Sequence, residues 1–459
     1  MSSVIIEVFF RKTMPMIRNR KQTLKILFIL IVFLMSPISV KAVTQASLLN
    51  TNCVWTIDGQ EAPEALKDAS IKSSYLFEKD KPLTIQCSTP IKYLYILFDR
   101  PTSLYTITTP TSTQSAGFFG FLHELIPLDS PSSTVTLNLN PGRVASIFVY
   151  SEGTLPSSVQ IWKTPAYDAD LLVFAAHSDD EALYFGPAIV KSVDAKKTVQ
   201  VAYLTQHFSD RRRPHETLDS LWELGVTNYP IFGPFPDQQT SSLSHGYTIF
   251  PKEKVLAYEI LQIRRFKPEV ILSHDFEGEY GHGAHMVLSD VLKEAILKSG
   301  DITSYTDSAV TYGTFTPLKV YIHLYDQHQI ILDVYTPIAS FNDRSPLEVA
   351  RAAYEFHVTQ HIWPLKVIDY TVGDVRKFGL YSTLVGEDTG NDLFEHVPPK
   401  PTIEDKPKPD PDVDPPSSFF NESQIKTLIL WLGSVVILSV SVGAIILMTQ
   451  TKHKRSIRR

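Results

Sequence analysis

Cysteine is nearly absent from this chain of 459 residues: Cys53 and Cys87 are the whole complement, and both lie far from the histidine-bearing motifs described below. An excess of basic charge is also absent. Lys and Arg number 43 against 49 Asp and Glu, so the net charge of -6 gives no reason to expect a nucleic-acid partner. No Gly-x-Gly-x-x-Gly follows the first strand of the later α/β pattern, so no dinucleotide is expected. Charge itself is missing from two stretches near the ends, 26–35 and 427–449. What the chain does have is 43% hydrophobic residues, enough for a full globular core and more than one domain.

The richest stretch is 171–189, LLVFAAHSDDEALYFGPAI. Its apolar run fits a strand of a parallel sheet, too hydrophobic to face water, and it ends in His177, Ser178, Asp179, Asp180 and Glu181 before an amphipathic pattern begins. Open α/β sheets bind ligands at the carboxyl ends of their strands, so these polar groups stand where a site is expected. His177 and Asp180 together can grip a divalent cation while Asp179 stays free, and a second carboxylate beside such an ion completes the minimal kit for activating water. The same cluster also fits a helix cap, with Ser178 or Asp179 capping and the acids favoured by the helix dipole.

A hundred residues later a second apolar run, PEVILSH, ends at His274. The polar loop after it carries Tyr280, Gly281, His282 and Gly283, and helical spacing starts at Ala284 through Met286, Val287, Val291, Leu292, Ala295 and Ile296. His285 therefore stands on the first turn of a helix and His282 just before it. Two histidines three apart at a glycine-rich turn suit a metal or proton-transfer site, and they equally suit a surface loop.

These residues carry a family resemblance. The chain from 169 to 392 resembles the LmbE-like/PIG-L family of metal-dependent N-acetylglucosaminyl deacetylases, whose first motif has the form A-H-P-D-D-E and whose last has the form G-H-x-D-H. Residues 176–181 match the first with Ser178 in place of proline, and residues 281–285 match the last with Ala284 in place of aspartate. The resemblance implies that His177, Asp180 and His285 bind a metal, usually zinc (Zn2+), with another divalent ion possible. It also implies that Asp179 is the general base and that His282 steadies the oxyanion or delivers a proton. Ser178 loosens a turn that proline would stiffen, and Ala284 removes a carboxylate that could orient His282 or His285.

Between the motifs, 198–205 reads as a buried strand and 210–226 as a helix with Leu218, Leu221, Trp222 and Val226 inward. Arg213 and Glu216 match the family's R-x-x-E, whose arginine is implicated in substrate contact; a surface ion pair is the plainer reading. The segment 231–237, IFGPFPD, is similar to a short family strand ending in an aspartate that holds sugar hydroxyls, which nominates Asp237. Tyr280 matches a tyrosine seen before the last motif in some members, closing over the acyl group or simply packing. Residues 319–333 read as two more strands and 346–360 as a helix capped by Ser345. For the histidines His357 and His361 the resemblance supplies no role, and packing is the expected one.

The expected fold class is α/β: a Rossmann-like, mostly parallel sheet with flanking helices over 165–395, preceded by a small β-rich domain over 43–164 that reads as an antiparallel sandwich. Residues 1–42 read as a signal peptide or signal anchor, with Arg18, Arg20, Lys21 and Lys25 before the apolar run. Residues 396–424 read as a proline-rich stalk, 425–449 as a transmembrane helix and 450–459 as a basic cytoplasmic tail. The catalytic domain is then expected on the lumenal or extracellular side of a single-pass anchor. There Cys53 and Cys87 are expected to form a disulfide, two unpaired buried thiols being the alternative. The expected activity is zinc-dependent removal of acetyl from an N-acetylglucosamine-type amino sugar in a glycan or glycolipid. The alternative is a catalytically inactive surface carbohydrate-binding or adhesion protein of the same fold, and a third reading is an amidase acting on a bulkier conjugate.

Overall fold

Alternate residues of the strand Leu171–Ala175 enter different cores, and that alternation organises the α/β region. Leu171, Val173 and Ala175 pack on one face while Leu172 and Phe174 pack on the other. The computed structural model describes residues 44–139 and 142–400, and its β-rich and α/β regions belong to one compact unit ending at Val397. The expected signal segment, the transmembrane helix, the basic tail and all of the stalk beyond residue 400 lie outside the described residues. Among the described residues no helix is long and apolar enough to cross a membrane.

The β-rich region contains β1 (Cys53–Ile57), β2 (Gln60–Glu61), β3 (Tyr75–Leu76), β4 (Leu83–Phe98), β5 (Tyr105–Thr108), β6 (Thr113–Ala116), β7 (His123–Asn138) and β8 (Arg143–Tyr150). Its pairings are antiparallel, as expected, and all eight strands are linked by hydrogen bonds through β4 and β7. The long β4 and β7 run through it and lose register between Gln86 and Tyr93, where Pro90 has no amide to donate. Cys53 and Cys87 are directly opposed on β1 and β4 and are joined as a disulfide, with Cα atoms 4.1 Å apart.

The second sheet holds β9 (Leu171–Ala175), β10 (Val199–Tyr203), β11 (Val270–Ser273), β12 (Lys319–His323), β13 (Gln329–Ile331) and β14 (Lys377–Thr383), in the order β10-β9-β11-β12-β14-β13. The first four run parallel. β14 is antiparallel to β12 and β13 antiparallel to β14, so the expected parallel sheet is mixed at that edge. Helices are α1 (Asp180–Leu183), α2 (Gly186–Asp194), α3 (Arg213–Glu223), α4 (Leu243–Ile249), α5 (Lys252–Phe266), α6 (Gly283–Lys298), α7 (Thr306–Tyr312) and α8 (Pro346–Tyr354). Residues of α2, α3 and α8 fill the core on one face of the sheet, and residues of α5 and α6 the core on the other.

Two expected elements differ. The segment 231–237 is not a strand: Ile231 and Phe235 make isolated parallel bridges to Ala202 and Thr205, because Pro230, Pro234 and Pro236 remove the donors a ladder needs. The helix expected over 346–360 ends at Tyr354, after a Ser345–Glu348 capping box starts it. From β9 the chain crosses to β10 on one side, then returns to β11 on the other. That reversal sets the loops after β9 and β11 side by side at the carboxyl end of the sheet.

Candidate metal centre

The loop after β9 delivers His177 and Asp180, and the loop after β11 delivers His282 and His285. Asp180, the first residue of α1, folds back so that its Oδ2 accepts the amides of Ala176 at 3.1 Å and His177 at 2.7 Å. The same oxygen lies 3.3 Å from His177 Nδ1 and 3.4 Å from His285 Nε2, and those two nitrogens are 3.2 Å apart. Ligands held at zinc-like distances in a tetrahedron are separated by about 3.3–3.4 Å, so the triangle has the size a divalent cation requires. His177, His282 and His285 also offer ring nitrogens within 4.8 Å of one another, as do Asp180, His274 and His285. Buried His177 Nε2 has no hydrogen-bond partner among the described residues.

Behind these groups stands Glu279, fully buried. Its Oε2 meets Nδ1 of His285 at 2.6 Å and Nδ1 of His274 at 2.9 Å, and its Oε1 meets Nδ1 of His323 at 2.7 Å. A carboxylate on Nδ1 turns Nε2 of His285 toward Asp180, the arrangement metal-binding histidines normally have. Burial opposes the charge on Glu279, but His274 and His285 outweigh it and hold the carboxyl well below its ordinary value. Asp180 behaves alike, with His285 and His274 overcoming burial. For His285, burial is overcome by Asp180 and Glu279, and with protein charges alone its pKa is held up to about 10. The negative potential that favours a proton there favours a divalent cation in its place.

Asp179 has φ of 124°, a backbone region sparsely populated by residues other than glycine, which costs about 1–3 kcal/mol. Its amide donates to Glu181 Oε2 at 3.0 Å, and Glu181 is itself held by His357 Nε2 at 2.6 Å and by the Ser220 hydroxyl at 2.6 Å. Burial and the adjacent Asp180 raise the Asp179 carboxyl well above the ordinary range, against Arg213, whose Nη2 lies 4.0 Å away. His282 caps α6 and accepts the Ala284 amide on Nδ1 at 3.2 Å, so the ring proton sits on Nε2. Burial with His177 and His285 nearby pushes its pKa down to about 2, so the ring is neutral. The close approach here demands glycine: a Cβ on Gly283 would lie 2.2 Å from the Ser242 carbonyl oxygen.

Arg213 pairs with Asp237 and donates from Nη2 to the Ser178 carbonyl at 2.6 Å. Ser178, in the position of the motif's proline, bonds through its hydroxyl to Thr217 of α3. A cavity of about 510 Å³ is lined by His177, Asp179, Asp180, Arg213, Asp237, Tyr280 and His282, joined by Gln239, Gln360 and Trp363. His285 lies one layer deeper, fully buried. Glu216 turns away to the Thr359 amide and hydroxyl.

The structure thus gathers His177, Asp179, Asp180, Arg213, Asp237, Tyr280, His282 and His285, and leaves Cys53 and Cys87 in the other region. Sequence reasoning missed His274, Glu279 and His323. His274 had a signal, since it ends the β11 run as His177 follows the β9 run; Glu279 had none. The expectation of packing fits His357, which sits behind Glu181, while Gln360, for which the sequence suggested no role, lines the cavity.

Residues 172–296 match the PIG-L family, described as GlcNAc-PI de-N-acetylase. This segment is a PIG-L domain. The PIG-L match contains both histidine motifs and Glu279, and it stops before His323, His357 and Trp363. The chain is 25% identical over 178 residues to an uncharacterized protein of Acanthamoeba polyphaga mimivirus, covering 36% of this chain and 75% of that one. Among solved structures it is similar to N,N'-diacetylchitobiose deacetylase from Pyrococcus horikoshii, with 18% identity, 42% of this chain and 71% of the other covered, and a TM-score of 0.35. A conserved protein from Thermus thermophilus is similar at 18% identity, over 43% of this chain and 82% of the other, with a TM-score of 0.32.

Proposed function

We propose that this protein is a metal-dependent N-deacetylase that removes acetyl from an N-acetylglucosamine-type amino sugar in a glycan or glycolipid. One observation carries the reading: the His177–Asp180–His285 triangle and the raised-pKa carboxyl of Asp179 converge on one sugar-sized cavity inside a PIG-L domain. Zinc or another divalent cation held by His177, Asp180 and His285 would polarise the amide carbonyl and make water a nucleophile near neutral pH.

The rest of the chemistry falls to the chain's own groups. Asp179 takes the proton of the attacking water, and its raised pKa brings it toward the pH at which a general base works best. His282, neutral and protonated on Nε2, donates a hydrogen bond to the carbonyl oxygen as that oxygen gains charge. The low proton affinity of His282 leaves Asp179 as the group that returns a proton to the departing amine. Arg213 and Asp237, fixed against each other, present hydrogen-bonding edges to the sugar hydroxyls, and Tyr280 closes the cavity beside His282.

The test is acetate release by the full chain from free N-acetylglucosamine, its oligomers and an N-acetylglucosaminyl glycolipid, with cation content measured in parallel. Release that a chelator abolishes and zinc restores is expected. No acetate from any of the three, at full cation occupancy, would sink the reading.

We further propose a lumenal or extracellular location on a single-pass anchor, supported by the Cys53–Cys87 disulfide, which suits an oxidising compartment. That side favours exported glycans over cytoplasmic glycolipid precursors. Protease added to the cytoplasmic face of sealed vesicles should spare the catalytic region; its digestion there would reverse the assignment.

A further inference from the structure

After α8 the chain turns through 355–368 and puts Trp363, Pro364 and Leu365 on the wall of the catalytic cavity. The same three residues line a second cavity, of about 560 Å³. Both volumes fall in the range of about 300–1,000 Å³ typical of small-ligand sites. The second cavity has two features that call for a ligand. Trp363 is 51% exposed and Tyr370 59%, so two large aromatic faces stand uncovered on its lining. Tyr354, only 6% exposed, forms part of its inner wall. Arg351, Glu355 and Lys366 supply charged edges.

Aromatic faces flanked by charged groups suit a pyranose, which offers an apolar C–H face and a rim of hydroxyls. An acyl chain would instead desolvate Arg351, Glu355 and Lys366 with nothing to bond in return. We propose that the second cavity is a subsite for a neighbouring sugar unit, with Trp363 as the shared ring platform, so that the substrate is an amino sugar within an oligosaccharide rather than a free monosaccharide. The proposal rests on the N-deacetylase reading for what happens in the first cavity. It assigns a specificity-determining role to Trp363 and Tyr370, both outside the 172–296 match.

The experiment compares kcat/KM of the full chain for N-acetylglucosamine and for its β-1,4-linked trimer. The trimer should exceed the monosaccharide at least ten-fold, mainly through a lower KM. Tyr370→Ala and Trp363→Ala should each cut that ratio at least five-fold, and Trp363→Phe should restore much of it; both positions are exposed, so the fold should survive. A ratio near one in the parent protein, or one unchanged in both alanine variants, overturns the subsite while leaving deacetylation intact. Preference for an N-acetylglucosaminyl glycolipid over the trimer also overturns it, in favour of a lipid occupant. Calorimetric binding of the trimer to Asp179→Asn separates the two readings. If no sugar releases acetate yet the trimer binds and Trp363→Ala weakens it at least five-fold, the subsite stands and the deacetylase reading falls.

Discussion

Glu279 lies three residues before His282 and touches His274, His285 and His323, one from the end of β11, one from α6 and one from the end of β12. Glu279→Gln keeps the shape but removes the charge that steadies His285. Cation affinity should fall about 10–100-fold, the usual cost of losing such a partner, measured by competition with a chromogenic chelator. Asp179→Asn should behave in the opposite way: cation content unchanged, turnover down by roughly two to four orders of magnitude. Near-normal turnover in that variant would remove Asp179 from the mechanism. The contrast also marks what was legible at this scale. His177, Asp179, Asp180, His282 and His285 sit in two short motifs whose spacing is itself the signal. Glu279, His274 and His323 meet only because β9, β11 and β12 are neighbours in the sheet, and no local pattern encodes that.

Among the elements, α3 is held from two sides. Its first turn carries Arg213 to the cavity, while His215 and Asp219 face the β-rich region. There His123 Nε2 lies 2.8 Å from His215 Nδ1, and Gln160 donates to Asp219 Oδ1 at 2.5 Å. Arg211, just before the helix, pairs with Asp99 at 3.4 Å. Burial and the neighbouring His215 hold His123 neutral, its pKa well below the ordinary value. Below about pH 6.5 the unfolded chain takes up a proton at this ring and the folded protein does not, so stability should fall as pH drops through that window. Melting temperatures between pH 5 and 7.5 should therefore slope less steeply for His123→Gln than for the parent protein; parallel curves would deny His123 that role. The strands β9 and β10 and the helices α3 and α6 were readable from their periodicity. The stretch 231–237 was expected as a strand from the resemblance, but Pro234 and Pro236 within it and Pro230 before it cannot pair, and α8 was overextended because apolar spacing persists beyond Tyr354 in a segment that turns instead to line the cavity.

For the whole molecule, the disulfide clamps β1 to β4 at a separation of 34 residues. Closing a loop of that length restricts the unfolded chain by about 3–4 kcal/mol, so Cys53→Ser combined with Cys87→Ser should lower the melting temperature by several degrees and leave cation content at saturating zinc unchanged. The β-rich sheet and the α/β sheet were both anticipated, but their relation was not: Leu122 donates its amide to the Tyr229 hydroxyl, Phe121 stacks on the Tyr229 ring, and Trp222 donates to the Ser157 carbonyl. Contacts of this kind join residues far apart in the chain and leave no mark in either segment alone. Their consequence is one of inheritance. A helix that takes its footing from one region and points its arginine into the other ties the two together as a single heritable unit. A graft that brought in a foreign PIG-L domain at residue 165 would have to bring its own matching partner for α3, or lose the wall that Arg213 holds.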